Sequence, residues 1–129
     1  MNKALLKIIN EKQLASVMNS TKWKEFIDSV SKLEDLNPKI RYQCITSDEI
    51  FGFSQVWWNE LYEICAEIKW LEIDPVKKEF RGKLVSDKET DYSDLVSSLL
   101  SQANIPYSIE GRYFKVWGYI GKNDNPEFV

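Results

Sequence analysis

The sequence has 129 residues, of which 43% are hydrophobic and 29% are charged, and its formal net charge is −3. These values are typical of one globular domain and argue against a disordered chain. No apolar run approaches the roughly 20 residues of a membrane-spanning helix, and the N-terminal residues lack the cleavage site of a signal peptide. We therefore expect a cytoplasmic protein that makes no membrane contact.

Histidine is absent from the sequence. Its absence excludes Ser-His-Asp and Cys-His nucleophilic catalysis and most catalytic zinc sites. The two cysteines, Cys44 and Cys65, match no metal-ligand spacing and lie among apolar neighbours, which favours buried, reduced thiols. We find no catalytic motif, and we expect neither a cofactor nor a bound metal.

The first 37 residues predict two helices that pack as a hairpin. Helical spacing of apolar residues covers residues 2–18, and a break at Asn10 is left open because Asn10 and the glutamine three residues later resemble a capping box. The second helix begins at Ser20 or Thr21, whose hydroxyl can cap the first turn. It ends at Asn37, because proline follows.

Residues 39–46 alternate more apolar with more polar side chains, which predicts a strand. The conformation of residues 48–53 is left open among a bulge, a turn and a helix entry, because Gly52 stands between two phenylalanines. From Ser54 the pattern becomes helical and continues to Ile68. The predicted buried face of this helix consists of Trp57, Leu61, Ile64, Cys65 and Ile68.

The same predicted helix carries an acidic arc beside its apolar face. Glu60, Glu63 and Glu67 are three and four residues apart, so they share one side of the helix. Residues 48–74 as a whole contain seven acidic residues and a single basic one, Lys69. Such a segment repels nucleic acid and attracts basic proteins. We therefore predict a basic protein partner and no nucleic-acid binding.

Residues 67–74 and 77–85 predict two strands joined by a turn at Asp74–Pro75. The polar residues 86–91 lead to a helix that begins at Asp91 or Ser93 and ends at Asn104, before a proline.

A hairpin follows, with strands at residues 105–110 and 112–119 that turn at Glu110–Gly111. The second of these strands has bulky side chains on both faces, which predicts a position in the interior of a sheet. Residues 121–129 indicate a loose tail.

After residue 37, the first six predicted elements are strand, helix, strand, strand, helix and strand. This βαββαβ order matches the ferredoxin-like fold. We therefore predict one α+β domain over residues 1–129. In it, an N-terminal helical hairpin (1–37) precedes a ferredoxin-like core with an extra C-terminal antiparallel strand (38–120) and the tail (121–129).

Two aromatic residues, Trp58 and Tyr62, lie off the predicted apolar face of the acidic helix. They either anchor a partner or are buried under the N-terminal helices. Glu72 and Asp74 lie close to the acidic arc in sequence. The predicted protein-binding surface consists of Trp58, Glu60, Tyr62, Glu63, Glu67, Glu72 and Asp74.

Two other functions are left open. Asp48, Glu67 and Lys69 resemble the acid plus Glu-x-Lys pattern of metal-dependent nucleases, in which carboxylates hold Mg²⁺ and the lysine lies near the attacked phosphate. This pattern indicates a small metal-dependent hydrolase. The third hypothesis is a structural or regulatory module that forms a homodimer through an exposed sheet face.

A short basic run surrounds Phe80. It consists of Lys77, Lys78, Arg81 and Lys83, and Glu79 interrupts it. The run is either a solvated hairpin face or a phosphate contact, although no glycine-rich cradle accompanies it.

The segments EIKWLEIDP (67–75) and NIPYSIEGRYFKVWGY (104–119) resemble parts of small, uncharacterised, single-domain bacterial proteins. In size, acidity and lack of a recognisable active site, the chain is also similar in type, although not by motif, to immunity proteins that neutralise bacterial toxins. This resemblance implies a non-enzymatic protein that binds a basic toxin.

Overall fold

A computed structural model describes residues 2–129. In this range the chain forms four α-helices, one short 3-10 helix and nine strands. In chain order they are α1 (Lys3–Glu11), β1 (Ala15–Ser16), α2 (Ser20–Val30), β2 (Ile40–Cys44), β3 (Ile50–Ser54), α3 (Trp58–Glu63), the 3-10 helix (Cys65–Glu67), β4 (Ile68–Ile73), β5 (Val76–Glu79), β6 (Lys88–Asp91), α4 (Ser93–Gln102), β7 (Tyr107–Glu110), β8 (Tyr113–Trp117) and β9 (Tyr119–Ile120). None of these helices is long and apolar enough to cross a membrane.

The central sheet has five strands in the order β3-β2-β4-β8-β7, and each neighbouring pair is antiparallel. β4 lies at its centre, where Ile73 is opposite Ile40 of β2 on one side and Phe114 of β8 on the other. Two smaller antiparallel pairs lie outside this sheet, β1 with β9 and β5 with β6.

Helices α2, α3 and α4 cover one face of the central sheet. Alternation along β4 places Leu71 and Ile73 on this face, and both are fully buried. The helices contribute Trp23, Phe26, Ile27, Val30, Leu61, Val96 and Leu100 to this main core. Burying each large apolar side chain is worth roughly 1.5–3 kcal/mol, so this layer is the chief source of stability.

The opposite face of the sheet is covered by long polar and aromatic side chains. Trp70 and Trp117 are cross-strand neighbours there, and the Lys115 ammonium lies 4.4 Å and 4.5 Å from their ring centroids. The indole N–H of Trp70 donates to Gln43 Oε1 at 3.1 Å, and that of Trp117 donates to Ser108 Oγ at 2.9 Å. Both indoles are therefore buried with their hydrogen bonds satisfied.

Helix α1 packs outside the main core. The second apolar cluster consists of Leu5, Ile45 and Tyr119, with Ile8, Ile9 and Leu14 packed against it. α1 ends at Glu11, close to the break left open at Asn10 and before residue 18. Gln13 then adopts a φ of +52°, a left-handed conformation that ends the helical path. Ala15 and Ser16 pair with β9 instead.

The predicted N-terminal helical hairpin is wrong, because α1 and α2 pack into different apolar clusters. The start of α2 at Ser20 is confirmed, but its cap is Asn19, whose Oδ1 accepts from the backbone N–H of Lys22 at 2.8 Å. The asparagine side chain satisfies the same free amides that a serine would.

The chain is α+β as predicted, but its sheet differs from the ferredoxin-like topology. In a split βαβ unit, the two strands joined by a helix run parallel and a third strand lies between them, whereas β2 and β4 are direct antiparallel neighbours in the described central sheet. The difference begins at residues 50–54, which were left open and form the edge strand β3 beside β2. Because β3 occupies these residues and Ile68 starts β4, the predicted helix from Ser54 to Ile68 shortens to α3 and the 3-10 helix.

The strand predicted at residues 77–85 also lies outside the central sheet. β2 and β8 already occupy both edges of β4, so β5 pairs with residues 88–91, which were predicted to be a polar connection. β5 and β6 form a separate hairpin whose tip exposes Phe80 and Leu84.

The C-terminal hairpin is confirmed, with a turn at Gly111 in the left-handed region (φ +64°) and β8 in the sheet interior. The loose tail is wrong for its last residues. Phe128 forms a bridge with Ser108, and the Val129 N–H donates to the Tyr107 carbonyl at 2.9 Å. The edge of β7 leaves backbone groups free, and these residues satisfy some of them.

Gly118 joins β8 to β9 at a close backbone crossing. Its N–H donates to the Lys69 carbonyl at 2.8 Å, and its own carbonyl accepts from the Val17 N–H at 2.9 Å. A Cβ atom at this position would overlap the carbonyl oxygen of Ile68. The absence of a side chain therefore lets β1, β4 and β9 meet.

We expect Gly118→Ala to lower the free energy of unfolding by about 3 kcal/mol, because backbone must move to admit the methyl group. Gly52→Ala is the matched control, since a Cβ at Gly52 meets no atom within 4 Å. Its effect should stay within about 0.5 kcal/mol. Urea unfolding measures both values, and equal effects of the two substitutions would contradict close packing at Gly118.

Candidate functional site

The two tryptophans at the start of α3 lie in different environments, and for Trp58 the structure favours burial, one of the two alternatives that the sequence left open. α3 begins at Trp58, so Trp57 precedes the helix in an extended conformation and is 79% exposed. The prediction that Trp57 lies on the buried face is therefore wrong. Trp58 is half-buried and packs against the main core, with its ring centroid 6.3 Å from that of Phe26 in an edge-to-face contact.

Trp57 lies in an open cleft beside two carboxylates. The cleft has a volume of about 450 Å³ and is lined by Tyr42, Gln55, Val56, Trp57, Glu60, Leu61, Glu63 and Ile64. Glu60 and Glu63 are exposed, and neither forms an ion pair with any lysine or arginine in residues 2–129. We call Trp57, Glu60 and Glu63 the acidic cleft.

Other predicted members of the protein-binding surface lie outside the acidic cleft. Glu67 is in the 3-10 helix, is half-buried, and does not line the cleft. Tyr62 is 39% exposed on α3 but also lies outside the lining. The predicted arc of three glutamates is thus reduced to two, because the helix ends at Glu63.

Glu72 and Asp74 do not extend the acidic surface. Glu72 is 3% exposed on the sheet face opposite the helices, where Arg41 Nη2 and Nε donate to its Oε1 at 2.7 Å and 3.1 Å. Asp74 Oδ2 accepts from Arg112 Nη2 at 3.0 Å, and its Oδ1 accepts from the Val76 N–H. This part of the prediction is wrong, because both carboxylates are already paired with arginines.

We expect Arg41→Met to lower the free energy of unfolding by about 3 kcal/mol, because it leaves Glu72 charged, buried and unpaired. The double variant Arg41→Met/Glu72→Met should recover most of this loss, since apolar replacement of a buried ion pair is often nearly neutral. Urea unfolding of both single variants and the double variant yields the coupling energy. A double variant as unstable as Arg41→Met would contradict the buried ion pair.

The structure brings together only two of the three residues of the hydrolase hypothesis. Asp48 and Lys69 line a small cleft of about 50 Å³, while Glu67 is not part of its lining. The Lys69 ammonium lies 3.4 Å from Asp124 Oδ2. Among residues 2–129, no three acidic or cysteine side chains are placed to hold a metal ion.

The two cysteines are free thiols, with Cys65 buried and Cys44 half-buried. Burial, together with the nearby charge of Glu67, raises the pKa of the Cys44 thiol to about 11. Burial also raises the pKa of Cys65. Because the thiolate is the reactive form of cysteine, neither side chain is suited to nucleophilic chemistry near neutral pH.

The raised pKa of Cys44 makes stability depend on alkaline pH. The pKa of an unfolded thiol is about 8.5 and burial raises that of the folded Cys44 to about 11, so the folded state holds this proton more tightly. The resulting stabilisation is fully present below the unfolded pKa and is lost as pH rises through the folded pKa. We therefore expect Cys44→Ala to cost less free energy of unfolding at pH 10 than at pH 8, as measured in urea. A cost independent of pH would contradict the shift.

The fold defines a class: an α+β domain whose antiparallel central sheet carries helices on one face. A family model described as a family of unknown function (DUF6678) matches residues 5–123, so the chain belongs to that family. No curated protein matches the chain, and no solved structure matches it.

Proposed function

We propose that the protein is a non-enzymatic binding module that takes a basic protein partner at the acidic cleft. The observation that carries this proposal is the 79% exposed indole of Trp57 beside two carboxylates without ion pairs. Burying the remainder of that indole against a partner is worth on the order of 3–5 kcal/mol. The free energy available at this one side chain makes it a strong anchor.

The side chains of the cleft favour a basic partner. A lysine or arginine that enters it can lie over the Trp57 ring and reach Glu60 or Glu63 with its charged end. The two contacts act together, since the indole favours cations on its face and the carboxylates neutralise them. Apolar or acidic segments would satisfy the ring alone, and would leave the carboxylates desolvated.

The edge of the central sheet beside the cleft offers a second contact. β3 has one neighbour, β2, and contains neither a charged residue nor a proline, while Ile50 and Phe51 are 50% and 42% exposed. A bulge in the β2–β3 pairing is its one protective feature. An extended segment of a partner can add to such an edge. The same edge also supports the alternative of a homodimer.

Within this class we propose an immunity protein of the bacterial cytoplasm, whose partner is a basic toxin. The acidic composition of residues 48–74 and the carboxylates of the acidic cleft support a basic partner. The protonated thiols and the absence of histidine support binding over covalent catalysis. Neutralisation then requires only that the bound protein cover the surface through which the toxin acts.

We expect Glu60→Lys/Glu63→Lys to weaken partner binding at least about tenfold, because it turns attraction into repulsion. Trp57→Ala should weaken binding by a similar factor, as hot-spot tryptophans do. A pull-down from lysate of the source bacterium at low salt, with elution at high salt, identifies candidates. Titration calorimetry with the purified candidate then measures each variant.

The matched control is Asp28→Lys/Glu127→Lys, which changes the net charge equally at exposed carboxylates outside the cleft. It should bind like the unaltered protein. If both double variants bind equally well, the acidic cleft is not the binding surface. The immunity proposal requires in addition that the partner slow bacterial growth and that co-expression of this protein restore it. If the partner is not toxic, the proposal of a binding module stands and the proposal of an immunity protein is wrong.

A further inference from the structure

A groove of about 650 Å³ lies at the end of the sheet, between the turn after β4, the base of the β5–β6 hairpin and the segment that precedes β2. Its walls carry the cations Lys39, Lys77, Lys78 and Arg112 and the acids Glu34 and Asp74. These side chains come from three separate parts of the chain, residues 34–39, residues 74–78 and Arg112. The sequence singled out two of the lysines, in the run around Phe80, without the residues that face them.

Three of the four cations of this groove already have acidic partners. Asp74 is already paired with Arg112 at 3.0 Å. The Lys77 ammonium donates to the backbone carbonyl of Asp35 at 2.6 Å and lies 3.7 Å from Glu79. Lys78 is 3.6 Å from Glu89.

Lys39 completes the wall. It is exposed and forms no ion pair with residues 2–129. Counted with Glu79 and Glu89, four acids accompany the four cations of this groove, and the pairs of Lys77 and Lys78 are exposed contacts that contribute about 0–1 kcal/mol each. An anion of higher charge can replace such partners at small cost.

The floor of the groove is aromatic. The rings of Phe53 and Tyr113 lie 4.6 Å apart between centroids, and both are half-buried. The Arg41 guanidinium lies 4.8 Å from the Phe53 centroid, and the Arg112 guanidinium 5.4 Å from that of Tyr113. Because Glu72 and Asp74 also hold these arginines, the floor is already organised before a ligand arrives.

We propose that this groove binds a phosphate-bearing ligand that also carries a planar ring, of which a nucleoside diphosphate is the simplest example. Lys39, Lys77 and Lys78 act as point charges for the phosphate groups. The ring of the ligand packs at the edge of the Phe53–Tyr113 pair. The volume of the groove falls within the range of ordinary small-ligand cavities. This site is distinct from the acidic cleft, and it does not rest on the proposed function.

The test is titration calorimetry at low salt with ADP, pyrophosphate and adenosine as probes. ADP should bind most tightly, pyrophosphate less tightly, and adenosine weakest, because only ADP engages both the lysines and the rings. Lys39→Glu/Lys77→Glu should weaken ADP and pyrophosphate binding about tenfold or more. Lys24→Glu/Lys32→Glu is the control, as these exposed lysines lie outside the groove and the net charge change is the same.

A second variant tests whether the Phe53–Tyr113 rings contribute to binding, and it changes the structure little. Phe53→Leu keeps apolar bulk at the floor, and should weaken ADP about tenfold while leaving pyrophosphate unchanged. Thermal unfolding of each variant confirms that it is folded at the titration temperature. Failure of ADP and pyrophosphate to bind the unaltered protein would overturn the proposal, as would equal weakening by the groove and control variants. Pyrophosphate binding as tightly as ADP would overturn the role of the rings.

Discussion

Burial of β4 on both faces is the constraint on which the rest of the structure depends. Ile68, Leu71 and Ile73 are fully buried against the helices, and Glu72 is 3% exposed on the other side. A carboxylate in that position needs a partner, and Arg41 supplies it from the adjacent strand. The neighbours β2 and β8 use the backbone groups of β4, so the next strand along the chain leaves the sheet and forms a hairpin elsewhere.

The charge segregation of the sequence takes a different form in space. Glu72 and Asp74 belong to the acidic segment, but arginines neutralise them on or beside the open face of the sheet. Glu60 and Glu63, in contrast, form no ion pair with a lysine or arginine of residues 2–129. The acidic cleft and the lysine-lined groove share one lining residue, Gln55.

The potentially reactive side chains of residues 2–129 are not gathered into one site. The thiols are held protonated by burial, and the acids that the hydrolase hypothesis would use are not gathered with a third metal ligand among residues 2–129. Membership of a family of unknown function leaves the choice among activities to the sites themselves. The exposed indole beside unpaired carboxylates and the lysine-lined groove are the features on which the two proposals rest.

The sequence by itself determined the elements that local interactions control. The start of α2 at Ser20, helix α4 and the hairpin turn at Gly111 follow from capping, periodicity and backbone freedom within a few residues, and the structure agrees with them. Only the tertiary structure decided which of Trp57 and Trp58 is buried, where residues 50–54 pair, and how Arg41 and Arg112 remove two acids from the surface. Strand pairing and burial depend on partners tens of residues away in sequence, and local periodicity carries no information about them.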